Sequence, residues 1–282
     1  MAATGVLLIV DEIQPPSGLV AKGGTATPKP PETALFLAVR DDGQVFAFNG
    51  HVDLGTGIQT ALTQIVAEEL DLRMDQLRMV LGDTGRTPNQ GATIASATIQ
   101  ISAVPLRNAA AEARRFLLER AAALFGVPAG ELRVEEGVVI AGDGNRRISY
   151  GELVRGERVE LRISGKAPLK AREQYKLVGK GAPRVDIPAK ATGEFSYVHD
   201  LRLPGMLHGR VVRPPYAGID SGEFVGNSLE SVDEGSIAHI PGVVRVVVLR
   251  DFVGVVAERE EQAIKAAREL KITWRPWTRK LP

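Results

Sequence analysis

The chain has 282 residues with 35 basic and 34 acidic side chains, a formal net charge of +1, and a hydrophobic fraction of 44%. That length allows about two domains, and nothing in the balanced charge suggests a nucleic acid or an anionic membrane as the main partner. With no cysteine, the chain excludes disulfides, thiolate metal sites, a protein-held iron–sulfur cluster and a cysteine nucleophile of its own.

The first residues, MAATGVLLIVDEIQPPSG, contain a five-residue apolar run, Val6–Val10, with no Lys or Arg before it. A secretory signal needs a basic start and a longer apolar core. No segment approaches the ~18 apolar residues of a membrane span. The expectation is a protein retained in the cytoplasm, with the periplasm left open for an assembled complex. Pro15, Pro16, Pro28, Pro30 and Pro31 make residues 1–32 an expected extended leading segment.

ALFLAVR (34–40), the turn Asp41-Asp42-Gly43 and QVFAFNG (44–50) form a hairpin pattern. Next comes VDLGTGIQTALTQIVAEEL (52–70). An extended stretch ends at Asp53, Gly-Thr-Gly follows, and Ile58, Ala61, Leu62, Ile65, Val66 and Leu70 recur at helical spacing. LRMVL (77–81) reads as a strand, and GDTGRTPNQGATIAS (82–96) as a polar loop. A helix is expected from Thr98 to Phe125, with Leu106, Ala109, Ala110, Ala113, Leu117, Ala121 and Leu124 on one side. Pro105 predicts a kink or a late start. Short strands cover 131–150, and a helical turn follows at 151–154.

Residues 161–183, with Lys166, Lys170, Arg172, Lys176 and Lys180, read as a solvated basic linker. From residue 184 the texture is that of a compact α+β domain. Strand-like runs fall at 194–199, 206–213, 243–250 and 252–257, with a short helix at GSIAHIPG (235–242), a helix over 258–270, and LKITW after it.

Two places suit a ligand. A helix N-terminus carries unpaired N–H groups and partial positive charge, and glycines beside Thr56 let a ligand approach the backbone. An ordinary strand–helix turn satisfies the same pattern, and Gly-x-Gly alone is not a dinucleotide fingerprint. The loop TPNQGATIASATIQ (87–100) offers amides and the hydroxyls of Thr93, Ser96 and Thr98 as donors to phosphate oxygens, or equally a capped helix start. His51, His199, His208 and His239 show no metal-ligand spacing. Glu68 and Glu69 lie mid-helix, with Glu69 expected in solvent, and Glu258, Glu260 and Glu261 suit a helix start. Trp274 and Trp277 are expected to be packing residues.

VDLGTGIQTALTQIVAEELDLRMDQLRMVLGDTGRTPNQGATIASATIQ resembles the molybdopterin-binding large subunits of the xanthine dehydrogenase and aldehyde oxidase family. The isoquinoline 1-oxidoreductase and nicotinate dehydrogenase type is the nearest in flavour. YKLVGKGAPRVDIPAKATGEFSYVHDLRLPGMLHGRVVRPP (175–215) and IPGVVRVVVLRDFVGVVAEREEQAIKAARELKITW (240–274) resemble that family's α/β hammerhead domain.

The resemblance implies an α+β chain. A partial molybdopterin-binding α/β domain (33–160) and a linker (161–183) are followed by the hammerhead (184–282). It implies hydroxylation of an aldehyde or an N-heterocycle with oxygen from water. The cofactor is a molybdenum–pterin, in bacteria often the cytosine dinucleotide form, shared with another chain. The partners are a complementary molybdopterin-binding chain and an iron–sulfur subunit carrying the [2Fe–2S] clusters. By motif, Gly55, Thr56, Gly57, Thr93, Ala95, Ser96, Ala97 and Thr98 are the cofactor-lining positions. Many relatives have Gln where this chain has Thr56. No residue here matches the family's catalytic glutamate. A large apolar face is expected on the first domain, covered by a partner. The competing expectation is a non-catalytic scaffold or cofactor carrier.

Overall fold

The computed structural model describes residues 5–13, 32–216 and 226–277. The chain divides into two compact units, 1–195 and 196–282.

The first unit opens with strands β1 (Val6–Ile13), β2 (Glu32–Arg40) and β3 (Val45–Asn49), followed by helix α1 (Ile58–Leu70), β4 (Leu77–Leu81) and the long helix α2 (Ala103–Phe125). Then come β5 (Arg133–Glu135), β6 (Val138–Ile140) and β7 (Arg147–Ser149), which form a small antiparallel sheet. A one-turn helix α3 (Tyr150–Leu153), strand β8 (Arg158–Arg162) and a short helix α4 (Ile187–Thr192) complete it.

The main sheet has the order β4-β3-β2-β1-β8. β1 runs antiparallel to β2 and parallel to β8. The hairpin of β2 and β3 is as expected, and β4 lies parallel to β3 after the α1 crossover. Leu7, Ile9, Phe36, Leu37, Val39 and Ala47 from the sheet pack with Leu62, Val66 and Leu70 of α1 and with Leu106, Ala109, Ala113 and Leu117 of α2. The alanines of α2 let it lie close against both α1 and the sheet.

Several expectations are corrected here. Residues 6–13 of the expected leading segment form an inner strand of the sheet, because a short apolar run with both neighbours paired is a buried strand. Residues 14–31 of that segment lie outside the described residues. The late start expected from Pro105 is observed: Thr98–Ser102 is a π-helical turn, and the helix becomes regular at Ala103. Pro105 therefore falls in the first α-helical turn, where its missing N–H costs least. Leu124, placed on the buried side by pattern, is exposed near the helix end.

The largest change concerns the basic stretch 161–183: Lys166, Arg172, Lys176 and Lys180 are exposed as expected, but Lys170 and several backbone amides tie the stretch to the first unit. Glu68 is buried, and its Oε2 accepts from the backbone amides of Lys176 (2.8 Å), Leu177 (2.6 Å) and Val178 (3.0 Å). Glu69, expected in solvent, is 1% exposed. It binds Arg107 and the amide of Lys170. The Lys170 ammonium lies 3.2 Å from Glu68 and 2.6 Å from Asp71. Further up, Glu112 accepts from the amide and hydroxyl of Ser164. Acidic residues on the flank of a helix look solvated by spacing alone. Here their partners arrive from 38 to 110 residues away in the chain.

The second unit contains β9 (His208–Val212), β10 (Leu229–Asp233), β11 (Val243–Leu249), β12 (Phe252–Ala257), helix α5 (Glu260–Glu269) and β13 (Lys271–Trp274). β11-β12-β9 form one antiparallel sheet, and β10-β13 form a two-stranded one. Val253, Val255, Ala266, Leu270, Ile237 and Ile240 make its core. The strand expected over 194–199 is irregular chain leading into a tight turn at Val198–Asp200, where the Asp200 carboxylate accepts the Tyr197 amide.

Candidate cofactor site

The two ligand-suited places meet. A cavity of about 400 Å³ is lined by Leu54, Thr56 and Ile58 from the start of α1, and by Thr93–Ser96 and Thr98–Gln100 from the second loop. Of the eight expected positions, Thr56, Thr93, Ala95, Ser96 and Thr98 line it. Gly55, Gly57 and Ala97 are not among its lining residues.

Gly55 and Gly57 have φ of 94° and 81°, in the left-handed region. An added Cβ at Gly57 would lie 3.3 Å from the Arg184 side chain. At Gly55 the surrounding space is open, and the requirement is conformational only. The helix start is not bare. Asp53 Oδ1 accepts from the amides of Gly55 (2.9 Å) and Gly57 (3.1 Å), and Oδ2 from Gln59 (3.1 Å). Burial pushes the Asp53 carboxyl up, but these three amides outweigh it and hold it below the usual carboxylate range. The chain's own anion thus occupies the place that the sequence offers to a phosphate. Arg184 donates to the Gly55 carbonyl at 2.8 Å and is itself held by Asp186, while the Val185 amide donates to Thr60.

On the other wall, Ala95 and Ser96 have φ of 50° and 57°. Two successive non-glycine residues in that region cost roughly 1–2 kcal/mol each, and strain of this kind collects at functional sites. The Ala97 amide closes the turn on the Ile94 carbonyl. The π-helical turn that follows is another feature common at such sites. Behind this wall His51 is 1% exposed. Its Nδ1 is 2.7 Å from Thr98 Oγ1, its Nε2 is 3.3 Å from the Gln90 carbonyl, and Ser102 Oγ lies near both nitrogens. The Thr93 hydroxyl accepts from the Val52 amide.

Around the cavity Leu54 and Ile94 are 69% and 67% exposed, and Val52, Ile99, Ile101 and Val104 are exposed as well.

Sequence reasoning missed Asp53, Arg184 and His51. The signal for Asp53 was present, since Asp two and four residues before glycines is an Asx-turn pattern. Arg184 and His51 act across the fold and left no local signal. Among the described residues no cluster of His, Asp and Glu could hold a metal ion, and no helix is long and apolar enough to cross a membrane.

A nicotinate dehydrogenase subunit of Pseudomonas putida is 71% identical over all of this chain, which covers 24% of that protein. The beta subunit of the isoquinoline 1-oxidoreductase of Brevundimonas diminuta is 33% identical over 90% of this chain and 37% of its own length. The chain thus spans about a quarter to a third of these relatives. Among solved structures, the CO dehydrogenase of Oligotropha carboxidovorans aligns with 54% of this chain and 18% of its own, at 20% identity and a TM-score of 0.37. A family model described as "Molybdopterin cofactor-binding domain" matches residues 4–198, most of the chain and nearly all of its first unit, and the chain belongs to that family.

Proposed function

We propose that this chain supplies one wall of the cofactor site of a molybdenum hydroxylase that oxidises an aldehyde or an N-heterocycle with water as the oxygen source. The observation that carries this reading is the convergence of Thr56 with Thr93, Ala95, Ser96 and Thr98 on one cavity. It is supported by 71% identity to a nicotinate dehydrogenase subunit, which makes nicotinate the first substrate to test.

The residues present fit one part of the cofactor better than another. Leu54, Ile58, Ile94 and Ile99 give apolar walls, and the threonines give polar points between them. That combination suits a flat heterocycle. A phosphate is poorly served here, because Asp53 occupies the helix start. The molybdenum–pterin group supplies the two-electron redox chemistry. This chain's residues orient the ring and exclude water from one side. The pterin's nucleotide is taken as cytosine dinucleotide, and the [2Fe–2S] clusters are assigned to a partner.

The exposed apolar rim around Leu54 and Ile94 is read as the seat of the chain that completes the site. The second unit, with its two small sheets and α5, is read as the hammerhead, and the assembly as cytoplasmic. The experiment is molybdenum content after tagging the protein in its own host and purifying it gently. Near-stoichiometric molybdenum with larger partner chains alongside is the expected result. No molybdenum, with the chain alone in the eluate, overturns the reading.

A further inference from the structure

We propose that His51 fixes Thr98 as a hydrogen-bond acceptor on the cavity wall, so that this point selects an N–H or O–H donor on the ligand and not a phosphate oxygen. The inference rests on the reading of the cavity as a cofactor site, and it deepens that reading by naming the ligand chemistry at one position.

The argument starts from the imidazole. His51 Nε2 faces the Gln90 carbonyl at 3.3 Å. A carbonyl oxygen only accepts, so this contact calls for a proton on Nε2. Ser102 Oγ, 3.1 Å from Nε2 and 3.2 Å from Nδ1, can serve either tautomer, so the Gln90 carbonyl decides between them. In the neutral ring Nδ1 then carries a lone pair. Thr98 Oγ1 lies 2.7 Å from Nδ1, so the threonine hydroxyl donates its single proton inward. The oxygen's remaining capacity is acceptor only.

The opposite tautomer sets the Nε2 lone pair against the Gln90 carbonyl. The surrounding frame opposes any shift that would relieve this. The Gln90 side chain accepts the Gly50 amide and donates to the Ser102 carbonyl. Asn49 donates to that same carbonyl and accepts the His51 amide. The ring is thus held on its backbone side, on both nitrogens and through its neighbours. A buried polar network so fully satisfied specifies one arrangement. His51 is therefore a positioning residue that acts through Thr98, and the donor edge of a pterin ring is the ligand chemistry it fits.

Two measurements on the full chain test this. The first is the ¹⁵N ring spectrum of His51 at neutral pH. Protonated Nε2 with unprotonated Nδ1 is expected, and protonated Nδ1 overturns the proposal whatever binds in the cavity. The second is equilibrium binding of free pterin and of pyrophosphate to the parent, Thr98→Val and Thr98→Ser. Thr98→Val is expected to weaken pterin binding about tenfold and to leave pyrophosphate unchanged, with Thr98→Ser restoring pterin. Unchanged pterin affinity in Thr98→Val overturns the proposal, and so does pyrophosphate binding that Thr98→Val abolishes, since that makes Thr98 a donor. Should the parent bind neither probe, the cofactor-cavity reading fails, while the ring spectrum still decides the role of His51.

Discussion

Asp53 reaches forward to Gly57 and closes the start of α1, with its Oδ1 accepting the Gly57 amide at 3.1 Å and the Gly55 amide at 2.9 Å. The arrangement turns a site that suits an anion into one that already holds one. Asp53→Ala removes the acceptor for three amides and is expected to destabilise the chain by about 1 kcal/mol, the usual cost of losing a helix-start acceptor. It also frees the helix terminus. Sulfate, compared with chloride at matched ionic strength, is expected to raise the melting temperature of Asp53→Ala and to leave the parent unchanged. Equal stabilisation of both proteins would mean that the amides are not masked.

The site's two halves were legible for different reasons than its supports. Thr56 and the small-residue loop from Thr93 to Thr98 carry a local pattern, which is why spacing and resemblance could name them as candidates. Their convergence depends on β3 and α2 lying side by side, which no window of sequence contains. Periodicity found α1 and α2 because each has one apolar face. It failed at Glu69, whose partners are Arg107 and the Lys170 amide. It failed also at Val6–Val10, where a short apolar run has no period that separates a strand from a loop.

Gly57 carries two constraints, a φ of 81° and the Arg184 side chain 3.3 Å from any added Cβ. Gly55 carries only the conformational one. Both Gly→Ala changes are expected to cost roughly 1–2 kcal/mol for the left-handed backbone, and Gly57→Ala more than Gly55→Ala. Combining Gly57→Ala with Arg184→Ala should recover part of that difference, read from urea midpoints. Equal costs at the two glycines would remove Arg184 from the account of the turn.

Lys170 is the buried cation between Glu68 and Asp71. Lys170→Met leaves the buried Glu68 carboxylate without its cation, while the half-buried Asp71 keeps Arg114, and is expected to cost about 3 kcal/mol, the lower end of the usual penalty for breaking a buried pair. Adding Glu68→Gln should recover part of the loss, because one uncompensated charge goes with it. A cost below about 1 kcal/mol would place this pair with surface ion pairs.

Acid should release the same segment. At Glu68 burial raises the carboxyl's pKa, and the amides of Leu177 and Val178, the Lys170 ammonium and the Lys176 amide outweigh it and hold the group low. At Glu112 burial is likewise outweighed by Ser164 and Arg115. A depressed folded pKa means that the unfolded chain binds protons more readily. Its contribution is therefore complete above the ordinary carboxylate range and is lost as pH falls through the folded value. Unfolding free energy should be level from about pH 6 to 8 and decline below about pH 5. In hydrogen exchange, the amides of Lys176, Leu177 and Val178 should open before those of α2. Simultaneous opening would deny Glu68 its role as the anchor.

The inner position of β1 gives the sharpest contrast between a sequence expectation and the fold. A leading segment in solvent tolerates substitution, and surface changes usually stay within about 0.5 kcal/mol. Ile9 is instead wholly buried among the residues of the main core, with β2 on one side of its strand and β8 on the other. Ile9→Ala is expected to cost about 2–5 kcal/mol, the range for a large-to-small change at a closed core position. Val6→Thr, at a partly buried position on the same strand, should cost far less. The two substitutions together separate a packed strand from a tethered tail. Equal and small effects would mean that the sheet closes without β1, and that the parallel pairing of Leu7 with Val159 and Ile9 with Leu161 contributes little to the unit's stability.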